Sequence, residues 1–140
     1  MFRSFGLILL AAALAFSART ALAEPAHTKD ALDKVKHAVD DKQAVLLDVR
    51  EQKEWDAGHV RGAVLVPVGD LAKKSKDPAF LAELEKKVPK DKTVYCHCAR
   101  GGRALVAAEA LEKLGYKDVR PLKPGYKDLI EAGFPKAETK

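Results

Sequence analysis

Hydrophobic positions in this 140-residue chain alternate between short unbroken apolar runs and longer stretches of helical period. Ala44-Val45-Leu46-Leu47-Asp48 is an apolar run closed by a polar residue, the pattern of a buried strand. Ala63 to Pro67 predicts a second strand, ended by its proline, Thr93 to Cys96 a third and Val119 to Leu122 a fourth. Between them lie helical patterns. Thr28 is placed to cap a helix running to about Val39, with Leu32, Val35 and Val39 on one face. Glu51 to Ala57 predicts one or two turns ended by Gly58. Asp77 and Pro78 are a cap and first-turn proline for a helix over Ala79 to Lys87, with Leu81 and Leu84 facing inward and Pro89 beyond its end. Arg103 to Leu114 is the clearest helix, carrying Leu105, Ala108, Leu111 and Leu114 near period 3.6 with Gly115 at its C-terminus. A last helix spans Tyr126 to Ala132 and stops at Gly133. Strands that are apolar throughout and alternate with helices imply an α/β fold, a mostly parallel sheet of about five short strands with helices on both faces. Ligands of such sheets bind beyond the carboxyl ends of the strands.

The N-terminus reads differently. Arg3 is followed by an uncharged run from Phe5 to Phe16, and Ala21-Leu22-Ala23 offers a small-x-small cleavage site. This is the pattern of a secretory signal peptide over residues 1–23, cut after Ala23. A membrane-spanning helix needs roughly 20 apolar residues, and Arg19 ends the run too early. The expected mature chain, residues 24–140, is one domain and is soluble in the periplasm. Without Arg3 and Arg19 the formal balance is 23 basic against 20 acidic residues, a net charge of +3. The lysines are interspersed with acids, as on solvated helix faces, so no basic stripe of the kind that binds nucleic acid is formed.

Export sharpens the question raised by Cys96 and Cys98, because paired cysteines in an oxidising compartment usually become disulfides. Two cysteines at i and i+2 close almost no loop and give a strained bridge. A metal reading of Cys96-His97-Cys98 lacks a fourth ligand, since His27, His37 and His59 show no matching spacing. Cys98 instead opens the run Cys98-Ala99-Arg100-Gly101-Gly102-Arg103 between a strand and a helix. Positive φ is open to both glycines, so the loop can curl and turn its N–H groups inward. The helix N-terminus, Arg100 and Arg103 add positive potential. Each of these favours a thiolate and provides a cradle for a small oxyanion. Cys96 lies inside the strand pattern and is expected to be a core residue, or failing that a partner thiol.

Three segments carry a resemblance. "LLDVREQKEWDAGHVRGAVLVPVGDL" (Leu46 to Leu71) is similar to the Asp-Val-Arg…Glu…Gly-His-Ile-x-Gly-Ala…Pro signature of single-domain rhodaneses, with Val60 for isoleucine. "CARGGRA" resembles their active loop Cys-x-x-Gly-x-Arg-Ser, with Ala104 in the serine place, and "LEKLGYKDVRPLKPGYKDLIEAGFP" resembles their closing segment. Pro124 and Leu129 depart from the family, which often has glycine and tryptophan there. The register aligns only if Cys98 is the nucleophile.

The resemblance implies a thiosulfate sulfurtransferase that needs no metal or organic cofactor. Cys98 takes a sulfane sulfur from a donor such as thiosulfate and passes it to cyanide, a thiol or a sulfur-accepting protein. Arg100 is expected to bind the anionic end of the donor and Arg103 to brace the loop, while Ala99, Gly101 and Gly102 contribute backbone. The signature residues Asp48, Arg50, Glu54 and His59 read as structural. Two other readings stay open: a persulfide carrier with little turnover, and a redox protein using Cys96 and Cys98 as a dithiol.

Overall fold

The computed structural model describes residues 26–138; the expected signal peptide, residues 1–23, lies outside the described residues. Four strands, β1 (Ala44–Asp48), β2 (Val64–Leu65), β3 (Thr93–His97) and β4 (Val119–Pro121), form one sheet in the order β2-β1-β3-β4. Every pairing is parallel, with Asp48 beside both Leu65 and His97, and Cys96 beside Leu47 and Pro121. The expected parallel α/β architecture is present. The sheet has four strands rather than about five, and Val60 and Lys136 add only an isolated antiparallel bridge.

Six helices flank or connect the strands among the described residues: α1 (Leu32–Asp40), α2 (Gln52–Ala57), α3 (Val68–Lys73), α4 (Pro78–Lys87), α5 (Gly102–Lys113) and α6 (Tyr126–Glu131). Two cores result, one on each face of the sheet. One gathers Leu71 of α3, Leu84 of α4 and Ala104, Ala107 and Leu111 of α5 over Leu47, Val94 and Cys96. The other gathers Val35 of α1 and Leu129 of α6 over Leu46 and Tyr95. Leu129 is fully buried.

Local chemistry sets most boundaries. Asp77 caps α4, its Oδ1 accepting from the Ala79 N–H at 2.9 Å, with Pro78 in the first turn. Gly115 (φ +95°) follows α5, as expected. Three expectations fail. Thr28 does not cap α1; Ala31 holds that position without a side-chain bond, and Thr28 binds Pro121 O of β4 through its own N–H at 2.8 Å. The second strand is only two residues long; Pro67 follows as the N-cap of α3, a helix the pattern did not show, while the Val66 and Val68 N–H groups still donate to Asp48 O and Val49 O. The buried stripe of α5 is Ala104, Ala107, Ala108 and Leu111, with Leu105 and Leu114 only partly covered, because small residues let the helix lie close on the sheet. No helix among the described residues is long and apolar enough to cross a membrane.

Candidate active site

β3 ends at His97, and the chain turns at once into the loop leading to α5. Cys98 is 1% exposed and belongs to the core cluster beneath α5. The Gly101 N–H donates to Cys98 Sγ at 3.1 Å. Gly101 itself stands at φ +91°, where only glycine is comfortable. Gly102 does not share this conformation. It is the first helical residue of α5, and a Cβ there would meet nothing within 4 Å. One glycine, not two, makes the curl.

The loop is fastened from below. The Tyr126 N–H, at the start of α6, donates to Cys98 O at 2.9 Å. Gly125 lies so close to the loop that a Cβ on it would come within 1.8 Å of Ala99 O. The Gly125 N–H donates to Asp128 Oδ2 at 2.8 Å, which orients this turn. Behind it, Asp48 and Arg50 form a buried bidentate pair, Nε to Oδ1 at 2.9 Å and a terminal nitrogen to Oδ2 at 2.7 Å. The Arg50 guanidinium also donates to Gly58 O at 2.8 Å and lies 4.3 Å from the centre of the Tyr126 ring. Asp48 and Arg50 thus reach the start of α6 through the Tyr126 ring.

Arg103 and Arg100 are used differently. Arg103 is held by both oxygens of Glu54 at 2.6 and 2.8 Å, and this pairing keeps the Glu54 carboxyl down at about 2. Glu54 also accepts from the Glu51 N–H at 2.9 Å, so Arg103 ties α5 to the start of α2. Arg100 is exposed and, with Ala99, lines an open depression shared with Leu32, Lys123, Pro124 and Asp128. His59 stacks on Trp55 with ring centres 3.6 Å apart, and its Nδ1 donates to Trp55 O at 3.1 Å. Cys96 is fully buried, and burial pushes its thiol well above the ordinary range.

Two residues of the site escaped sequence reasoning. His27, from the segment before α1, places Nε2 2.9 Å from Gly101 O. His97 is fully buried with Nε2 3.6 Å from Asp48 Oδ2, and neither ring nitrogen has a hydrogen-bond partner among the described residues. A histidine beside two cysteines carried no signal of burial. Desolvation lowers the proton affinity of His97 below its ordinary value of 6.5, outweighing the nearby Asp48. The unfolded chain therefore takes up this proton first. The His97 contribution to stability is complete above about pH 6.5 and is lost as pH falls through the lowered folded value. Urea unfolding of the parent from pH 8 to 5 is expected to show this decline, and His97→Gln is expected to flatten it. An equal slope in both proteins would contradict the assignment.

A buried thiol at the end of a parallel strand thus accepts from the N–H of the glycine that opens the next helix. The rhodanese-like domain profile matches residues 31–132, and the chain belongs to that family. It is 33% identical over 93 residues to a human protein named thiosulfate:glutathione sulfurtransferase, covering 64% of this chain and 81% of that one. It is 30% identical over 98 residues to YrkF of Bacillus subtilis, whose name provisionally describes a sulfur carrier, covering 69% of this chain. The chain spans about half the length of that relative, 48%, and 60% of another Bacillus subtilis protein, YqhL. Among solved structures, a human single-domain sulfurtransferase superposes with TM-score 0.62 at 26% identity, covering 78% of this chain and 96% of that one.

Proposed function

We propose that this protein is a sulfurtransferase that carries a sulfane sulfur on Cys98 between thiosulfate and a thiophilic acceptor. The observation that carries this reading is the Gly101 N–H aimed at Cys98 Sγ inside the helix-capping loop. In the first step the Cys98 sulfur attacks the outer sulfur of thiosulfate. The new S–S bond forms on Cys98, the S–S bond of the donor breaks, and sulfite leaves with the electron pair. The resulting persulfide is an anion, which the N–H groups at the start of α5 stabilise. In the second step cyanide or a thiolate attacks the outer sulfur, and the electron pair returns to Cys98. The names of the relatives support sulfur chemistry of this kind. The test is a steady-state assay over several donors and acceptors, with the protein followed by intact mass. A gain of one sulfur with thiosulfate, discharged by cyanide or thiol at a useful turnover, is expected. A stable gain with negligible turnover would make the protein a persulfide carrier, and a loss of two hydrogens a dithiol redox protein.

The exposed Arg100 is proposed to bind the sulfonate end of the donor. Arg100→Ala is expected to raise KM for thiosulfate and leave kcat nearly unchanged, because a donor-binding charge acts on ground and transition states alike. A charge-assisted hydrogen bond is worth roughly 1.5–3 kcal/mol, so kcat/KM should fall about ten- to a hundredfold. Added salt should weaken thiosulfate binding less in this variant than in the parent. Arg103→Ala, which releases Glu54, should lower the melting temperature as well as the rate, with little dependence on salt. A KM effect in Arg103→Ala and none in Arg100→Ala would reverse the roles.

The protein is further proposed to work outside the cytoplasmic membrane, after cleavage following Ala23. The support is the apolar run from Phe5 to Phe16 ending in Ala21-Leu22-Ala23. N-terminal sequencing of the exported protein should begin at Glu24, and retention of residues before Ala21 would disprove it.

A further inference from the structure

We infer that residues 27–30 form a strap that holds the nucleophile loop in its curled form, with His27 as a positioning residue. The strap precedes the segment matched by the family profile, which begins at residue 31. It is pinned along its length. The Thr28 N–H donates to Pro121 O at 2.8 Å, and Thr28 Oγ1 accepts from the Asp30 N–H at 3.2 Å. Asp30 Oδ2 accepts from Tyr95 Oη at 2.9 Å and from Arg120 at 2.8 Å. These anchors deliver His27 to the loop, where Nε2 stands 2.9 Å from Gly101 O. A carbonyl oxygen only accepts, so Nε2 carries the proton and donates.

The acceptor is the important point. Gly101 is the residue whose N–H reaches Cys98 Sγ, and its φ of +91° has no support from a side chain of its own. Among the described residues the only other donor to its carbonyl is the Leu105 N–H, at a long 3.4 Å. His27 therefore supplies the short bond that keeps this peptide in place. The same peptide ends in the Gly102 N–H, one of the donors that have no intrahelical partner at the start of α5. Hydrogen bonding at a carbonyl polarises its peptide and makes its N–H a stronger donor. The strap thus fixes one N–H of the cradle and strengthens the next.

This inference rests on the sulfur-transfer reading for its effect on rate, but not for its effect on the loop, and the experiment separates the two. His27→Phe keeps a ring and removes the donor; His27→Gln keeps an N–H donor. Thr28→Pro removes the N–H that ties the strap to β4 and leaves His27 in the sequence. For each protein, thiosulfate:cyanide kinetics and the ¹H–¹⁵N amide spectrum are recorded. His27→Phe and Thr28→Pro are expected to lower kcat about three- to tenfold, the worth of one neutral hydrogen bond, with KM little changed. The Gly101 and Gly102 amide signals should move in both. His27→Gln should recover most of the rate and return those signals toward their parental positions. Parental kcat with unmoved Gly101 and Gly102 amides in His27→Phe would overturn the inference, and so would a lower melting temperature with kcat and those amides unchanged. Equal losses in His27→Phe and His27→Gln would overturn the role of the donor. If the parent transfers no sulfur from any donor, the functional reading fails, and the amide shifts alone decide whether the strap holds the loop.

Discussion

Cys98→Ser is expected to abolish sulfur transfer, lowering kcat/KM by more than about a thousandfold, the usual scale for loss of a covalent nucleophile. Serine keeps the shape of the loop and can still accept from Gly101, so the fold should survive. Its hydroxyl is a far weaker nucleophile and forms no persulfide. Cys96→Ser provides the contrast. That side chain is fully buried in the core, and a hydroxyl there finds little to bond with. It is expected to lower stability by about 1–3 kcal/mol while keeping most of the activity. The measurements are steady-state kinetics, circular dichroism and intact mass after incubation with thiosulfate. Equal loss of activity in two folded variants would show that the cysteines act as a pair. Persistence of the added sulfur in Cys98→Ser would move the nucleophile elsewhere.

Gly125→Ala should have the second-largest effect, although residue 125 does no chemistry. Its backbone conformation (φ −92°, ψ −176°) is open to any residue, so the demand for glycine is one of space. A methyl group would lie 1.8 Å from Ala99 O, 2.4 Å from the Ala99 carbonyl carbon and 3.1 Å from Cys98 O. All three are backbone atoms of the Cys98 loop and cannot rotate away. Either the loop or the start of α6 must shift, and the Tyr126 N–H bond to Cys98 O is lost with the movement. Overpacking of this kind costs about 1–3 kcal/mol, or roughly 5–15 °C in melting temperature for a domain of this size. Displacement of a reacting group by about 1 Å can cost a hundredfold in rate, so activity should fall further than stability alone explains. Gly102→Ala is the control. It sits in a helix with open space around it and should be neutral or stabilising by up to about 1 kcal/mol. If Gly125→Ala kept parental kinetics, the contact between α6 and the loop would not govern the site.

The parallel sheet was legible because β1 and β3 are buried on both faces and therefore read as unbroken apolar runs. The α4 start was legible because Asp77 and Pro78 act on groups two or three residues away. Helix α3 was not, since its six residues span too few turns to show a period and only Leu71 is buried. Thr28 was misread for a related reason. A threonine before a helical pattern looks like a cap, but its N–H is claimed by Pro121 of β4, a partner visible only once the sheet has assembled. Gly101 and Gly102 looked equivalent in the sequence; the start of α5 gave them different conformations.

What the sequence determined by itself is local or periodic: the alternation of strands and helices, the glycine-rich turn after a cysteine, and two arginines near it. These follow from backbone sterics and from the burial of apolar side chains, which act over a few residues. The tertiary structure decided which groups converge on that turn. The order β2-β1-β3-β4 brings Glu54 to Arg103 across 49 positions and His27 to Gly101 across 74. It also places the start of α6 under Cys98, and His97 beside Asp48 with no bond to either ring nitrogen among the described residues. Such pairings depend on the stacking of parallel strands whose connections cross the sheet, and no pattern of neighbouring residues encodes them.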